Sequence, residues 1–200
     1  ARSRIGRSCV IAYTNGIYVA NLIGDTMLNG SGLNPGFYSD LRHDDGHSMP
    51  ASHIFLPYPD SDSLIALFHH SVDTVDVYGN YVPSYLYYTL LDMTLDNGKG
   101  AVVQKNVILL SGQFTRCGVS AVRHGNGRDW WIVFHQNGTD VFVQFLLTAA
   151  GVDGPYFQVA GVVRAMGLIG SAFSMDGSRF AFMEAYDDLD VFDFDRCSGC

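Results

Sequence analysis

The chain has 200 residues and a formal net charge of −8, with 48% apolar and 16% charged residues. That apolar share supplies a sizeable core and excludes a disordered chain. The basic residues are scattered apart from Arg2, Arg4 and Arg7, so the chain lacks the clustered Lys and Arg of a nucleic-acid-binding surface, and no stretch reaches the roughly eighteen consecutive apolar residues of a membrane helix.

From the N-terminus, residues 8–24 hold two short apolar runs around Thr14-Asn15-Gly16, which predicts a hairpin because both turn residues must tolerate positive φ. Residues 25–50 carry almost no periodicity. Asn29-Gly30-Ser31-Gly32, Asn34-Pro35-Gly36 and Asp44-Asp45-Gly46 are breakers, so the stretch reads as a long excursion, and loops of that length are often functional. Strands are predicted at 52–58 and 63–72, joined at Pro57-Tyr58-Pro59-Asp60. A polar connection over 73–84 leads to a Tyr- and Thr-rich strand over 85–95. Asp96-Asn97-Gly98-Lys99-Gly100 then turns the chain into a strand over 102–110.

Residues 117–148 organise the rest. Two turn-forming tracts, His124-Gly125-Asn126-Gly127 and Gln136-Asn137-Gly138-Thr139, separate strands at 119–123, 130–135 and 141–148. The middle run is apolar on both faces, with Trp130, Ile132 and Phe134 on one side and Trp131 and Val133 on the other. That suits a strand buried between two layers. Further strands are predicted at 156–163, 168–173, 179–186 and 189–194, with Ser174-Met175-Asp176-Gly177 as a turn. Aromatics alternate through 180–186, as a strand demands.

The pattern of strand, Gly- or Pro-marked turn and aromatic strand therefore repeats, with rounds starting near 52, 117 and 168. The expected fold is all-β: a partial, WD40-like β-propeller of three to four blades, each a four-stranded antiparallel sheet. The blade pieces fall near 8–51, 52–116, 117–167 and 168–200. The rival is a β-sandwich, which predicts cleaner polar alternation.

A set of collinear motifs resembles one family. These are Tyr13-Thr14-Asn15-Gly16, the run from Met27 to Gly36, Leu56-Pro57-Tyr58-Pro59, Leu91-Asp92-Met93-Thr94-Leu95 and Asn97-Gly98-Lys99-Gly100. Lys105-Asn106, Gly125-Asn126-Gly127-Arg128-Asp129-Trp130-Trp131, Ser174-Met175-Asp176-Gly177 and the run from Phe192 to Gly199 follow. From about residue 10 onward the chain is similar to the N-terminal β-propeller region of gliding-motility-associated cell-surface proteins, exported by the type IX secretion system of Bacteroidota. The resemblance implies a secreted or surface-attached, WD40-like propeller, here an internal piece of a longer protein. It implies no catalytic residues.

Candidate chemistry is sparse. Cys9, Cys117, Cys197 and Cys200 allow two disulfides in any of three pairings. Cys197 and Cys200 have the CxxC spacing of a redox or half-zinc motif, without a second CxxC. The Asp187–Asp195 run offers carboxylates to calcium, but alternate Asp side chains on a strand do not converge. His43-Asp44-Asp45-Gly46-His47 places two histidines four apart, a zinc spacing only if helical. His69 and His70 alternate across a strand, which predicts one packed and one wet. His124 and His135 read as turn supports. Asn29 and Asn137 head glycosylation triplets. Trp130, Trp131 and the tyrosines at 81, 85, 87 and 88 offer a sugar platform only if exposed, and core is the better reading.

No cofactor is expected. The preferred recognition segments are 25–50 and 73–84, with Asp40, His43, Asp44, Asp45 and His47 as candidate ligand-binding residues. The expected function is a non-enzymatic, secreted or cell-surface module binding a protein or a glycan. The alternative is a hydrolase or lyase on the same scaffold, using Asp40, Asp44 and Asp45 as loop acids.

Overall fold

Strand β11 (Trp130–His135) shows how the molecule is built. In the computed structural model, which describes residues 11–49, 51–71, 74–75, 81–116, 118–164, 169–184 and 188–200, five consecutive residues of this strand, Trp131 to His135, are buried. Ile132 and Phe134 pack into one cluster with Phe68, Leu86 and Tyr88. Trp131 and Val133 pack into another with Phe180, Phe182 and Phe194. A strand covered on both faces has no use for polar alternation.

The chain is all-β. It begins with β1 (Ala12–Thr14), β2 (Tyr18–Asn21) and β3 (Thr26–Ser31), followed by a short helix α1 (Phe37–Leu41). Next come β4 (His53–Pro57), β5 (Leu64–His70), the small β6 (Thr74–Val75) and β7 (Tyr81–Val82), and β8 (Tyr85–Asp92). A single helical turn α2 (Leu95–Gly98) precedes β9 (Ala101–Ser111). Its Asp96 and Asn97 have φ of 50° and 55°, the left-handed values that Asn and Asp tolerate best. The C-terminal half holds β10 (Ser120–Arg123), β11, β12 (Thr139–Thr148) and β13 (Gly151–Arg164), then β14 (Ile169–Phe173), β15 (Arg179–Glu184) and β16 (Leu189–Asp193).

Hydrogen bonding sorts the strands into sheets ordered β1-β2-β3-β9-β8-β5-β4, β10-β11-β12-β13, β14-β15-β16 and β6-β7. Among the described residues, the expectation of four-stranded antiparallel sheets is met by β10-β11-β12-β13 alone: β14-β15-β16 has three strands, β6-β7 two, and the first sheet seven. That first sheet consists of two antiparallel meanders, β1-β2-β3 and β4-β5-β8-β9, joined by one parallel pairing, Leu28 with Ala101. Polar side chains hold that seam. Asn29 Nδ2 donates to Val102 O at 3.0 Å, and Lys105 Nζ donates to Ser31 O at 2.6 Å.

Three apolar clusters lie between successive layers. Val19, Met27 and Leu33 meet Ile65, Leu67, Leu91 and Val102. The opposite face of β5 and β8 meets β11 and β12, and the far face of those strands meets β15 and β16.

Residues 25–50 are not the unbroken excursion expected. β3 lies within them, and only two of its residues, Met27 and Gly30, are buried. Gly30 permits the close approach: a Cβ there would lie 2.6 Å from Val19 O. A strand with a tight glycine, an Asn at φ 58° and few inward apolar residues hides its period. The 73–84 connection likewise holds the β6-β7 hairpin, with residues 76–80 outside the description.

Candidate functional site

The loop from β3 to β4 carries the residues singled out by sequence. Asp40, His43, Asp44 and Asp45 are all exposed. Asp44 faces its neighbour His43 at 3.0 Å and Asp45 faces Arg42 at 3.7 Å. Asp44 and Asp45 thus engage separate local partners. His47 differs: it is half-buried and belongs to a polar network beneath the loop.

That network centres on Asn34, which is 1% exposed. Its Nδ2 donates to Gly16 O at 3.0 Å and lies 3.3 Å from His53 Nε2, while its Oδ1 lies 2.6 Å from His69 Nδ1. A carboxamide oxygen only accepts, so His69 carries its proton on Nδ1. The neutral ring's Nε2 then accepts from the Thr89 hydroxyl at 2.8 Å, and Thr89 Oγ1 accepts from Asn106 N at 3.1 Å. His53 Nε2 must accept from Asn34 Nδ2, so His53 donates from Nδ1 to Ser52 Oγ at 2.6 Å, and that hydroxyl donates to Met49 O at 2.8 Å. Ser39 Oγ donates to Asn34 O and receives His47 Nε2 at 2.8 Å. For His53 and His69, partners of fixed polarity assign a neutral tautomer.

Burial enforces the same state. It pushes His47 down to about 4 and His53 to about 3, and it holds His69 well below the ordinary imidazole range. His70 is likewise pushed to about 4 by burial. The expectation of one packed and one wet histidine fails here, because His69 and His70 are 0% and 1% exposed. β5 has covered neighbours on both faces, so alternation does not bring either ring to solvent.

His124 does support its turn, accepting Asn126 N at 3.0 Å. His135 does not. It is 2% exposed, with its ring 4.7 Å from Phe182 and 4.9 Å from Phe142, and its ring nitrogens have no hydrogen-bond partner among the described residues.

The acidic run is also tied up locally. Asp190 pairs with Arg164 at 2.8 Å, Asp193 faces Arg179 at 3.6 Å, and Asp195 accepts from Cys197 N and Ser198 Oγ. Asp187 lies outside the described residues. So do Cys9 and Cys117, whereas Cys197 and Cys200 are exposed free thiols. Among the described residues, no group of three His, Cys, Asp or Glu is placed to hold a metal ion, and no helix is long and apolar enough to cross a membrane.

Sequence reasoning missed the opposite end of the strands. β4 runs away from the loop, so the β4-β5, β10-β11 and β14-β15 turns lie at its far end. Arg128 there bridges Asp60 at 3.1 Å and Asp129 at 2.8 Å. Beside it lies a cleft of about 460 Å³, lined among others by Arg123, Trp130, Phe173, Met175, Asp176 and Arg196. The residues come from turns 50 positions apart, so no local motif announces the cleft.

No known family model, curated protein or solved structure matches the chain.

Proposed function

We propose that the chain is a β-propeller module of an exported, cell-surface protein, and that it binds a protein or a glycan rather than transforming one. The architecture that supports the propeller is the succession of layers stacked face to face, with the chain ahead of β4, β10 and β14 side by side. Gly118 N and Val119 N, just ahead of β10, both donate to Ala51 O ahead of β4. Ser120 Oγ on β10 lies 2.7 Å from Ser171 Oγ on β14. First strands that touch one another are one requirement of a radial arrangement. The resemblance to gliding-motility-associated surface proteins supports the cell-surface assignment.

One observation carries the binding reading. The histidines gathered under the long loop are committed to structure as neutral, hydrogen-bonded rings, while Asp40, Asp44 and Asp45 are solvent-exposed, with Asp44 and Asp45 each facing a basic neighbour. A glycosidase needs two carboxyl groups facing one another across a substrate, about 5–10 Å apart. The test is turnover. The purified protein is expected to leave a panel of polysaccharides and peptides intact. Hydrolysis or elimination that disappears on Asp40→Ala, Asp44→Ala or Asp45→Ala would overturn the reading.

A further inference from the structure

Four arginines of the described residues have carboxylate partners: Arg42 with Asp45, Arg128 with Asp60 and Asp129, Arg164 with Asp190, and Arg179 with Asp193. In a chain of net charge −8, such pairing is the rule to expect. Arg123 and Arg196 break it. Neither has a carboxylate partner among the described residues, and both line the 460 Å³ cleft at the turn end.

Arg123 is held by its guanidinium, Arg196 by its stem and backbone. The Arg123 guanidinium lies 4.2 Å over the Trp130 ring, and its Nη1 donates to Gly127 O at 3.1 Å and Arg128 O at 3.0 Å. Trp130 is itself anchored by Nε1 donating to Pro57 O at 3.1 Å. The remaining donors of Arg123, Nε and Nη2, have no partner among the described residues. The Arg196 stem crosses Gly177, where a Cβ would lie 2.5 Å from its Cδ. Its backbone is fixed by Gly125 N at 2.9 Å and Trp131 Nε1 at 3.0 Å, both donating to Arg196 O. The stacked Arg123 guanidinium loses little freedom on binding, and the planar fork of either arginine matches a carboxylate.

Asp176 sits on the same rim, but its carboxylate serves its own turn. It accepts from Ser174 Oγ at 2.6 Å, Ser178 N at 3.1 Å and Ser178 Oγ at 2.9 Å. Two guanidinium groups and one carboxylate leave a local charge that suits a monoanion and disfavours a phosphate dianion. Met175, fully exposed, and Phe173 give the cleft an apolar wall.

Resting on the binding-module reading, we infer that this cleft takes an acidic saccharide and holds a uronate carboxylate between Arg123 and Arg196. The test is calorimetric titration of the full chain at low salt with tetragalacturonate, and with its methyl ester as a neutral probe of the same sugar. Tetragalacturonate is expected to bind, the ester at least tenfold more weakly. Arg123→Gln and Arg196→Gln should each weaken binding at least tenfold, with partial recovery in Arg196→Lys and no change in Arg42→Gln. Circular dichroism of each variant reports whether it folds, and chondroitin sulfate oligosaccharides ask whether a sulfate replaces the carboxylate. Preference for the sulfated probe, equal binding of the ester, indifference to both Gln substitutions in folded protein, or no saccharide binding would overturn the inference. Appearance of new reducing ends during titration would instead overturn the binding-module reading.

Discussion

Asn34 shows what one residue can organise. Its amide spans the β1-β2 turn, β4 and β5 through Gly16 O, His53 and His69. Asn34→Ala would strand a carbonyl and two imidazoles in the interior, and a buried unpaired polar group costs about 1–3 kcal/mol. The expected loss of about 3 kcal/mol would appear as a lower urea midpoint at pH 7.5.

The same residues predict a pH dependence. Burial sets the folded pKa of His47 and His70 at about 4 and of His53 at about 3, below the ordinary 6.5. The unfolded chain therefore takes up protons first. This stability is fully present above pH 6.5 and is lost as pH falls from there towards the folded pKa values. His53 is the sharpest case, because a proton on Nε2 would meet the Asn34 amide donor head-on. Urea midpoints should fall steadily between pH 7 and pH 4.5, and a flat profile would contradict the neutral network. Asp129 and Asp176, lowered chiefly by side-chain hydrogen bonds from Arg128 and Ser174, add a loss in the same direction only below the ordinary carboxylate range.

Among the elements, β11 is the one most legible in sequence, and β3 the least. Back-to-back apolar residues between two Gly-marked turns define a strand covered on both sides, and its range of Trp130–His135 is the expected one. Trp131→Ala should cost about 3–5 kcal/mol through lost burial and the cavity left behind. Val159→Ala, at a residue 71% exposed, should stay within about 0.5 kcal/mol. Comparable urea shifts for the two would contradict the layered packing. β3 hides because backbone proximity at Gly30, not apolar rhythm, fits it to β2. Gly30→Ala is accordingly expected to destabilise by about 2 kcal/mol, in the range of overpacking. The loop's buried partners were invisible for a related reason. Whether His47 faces water or Ser39 depends on residues far away in sequence, and the Arg123–Arg196 cleft depends on two turns meeting in space.

Across the whole molecule, meanders stack in layers while β10 and β14 stay side by side. Apolar clusters on both faces of β5 and β8, and again of β11 and β12, require a packed layer on either side, and for β5 and β8 one of those layers is β2 and β3 of the same seven-stranded sheet. Two facing sheets alone would leave the outer faces of those strands wet. The touching first strands go further, and Ser120 and Ser171 mark where they meet. Their oxygens are 2.7 Å apart, close to the reach of a disulfide. The most direct measurement is oxidative crosslinking of the Ser120→Cys, Ser171→Cys double variant, with Cys9, Cys117, Cys197 and Cys200 replaced by Ser. Near-complete formation of a 120–171 disulfide in folded protein, located by peptide mass mapping, is the expected result. Persistently free thiols at both positions under the same oxidant would contradict the side-by-side placement of β10 and β14.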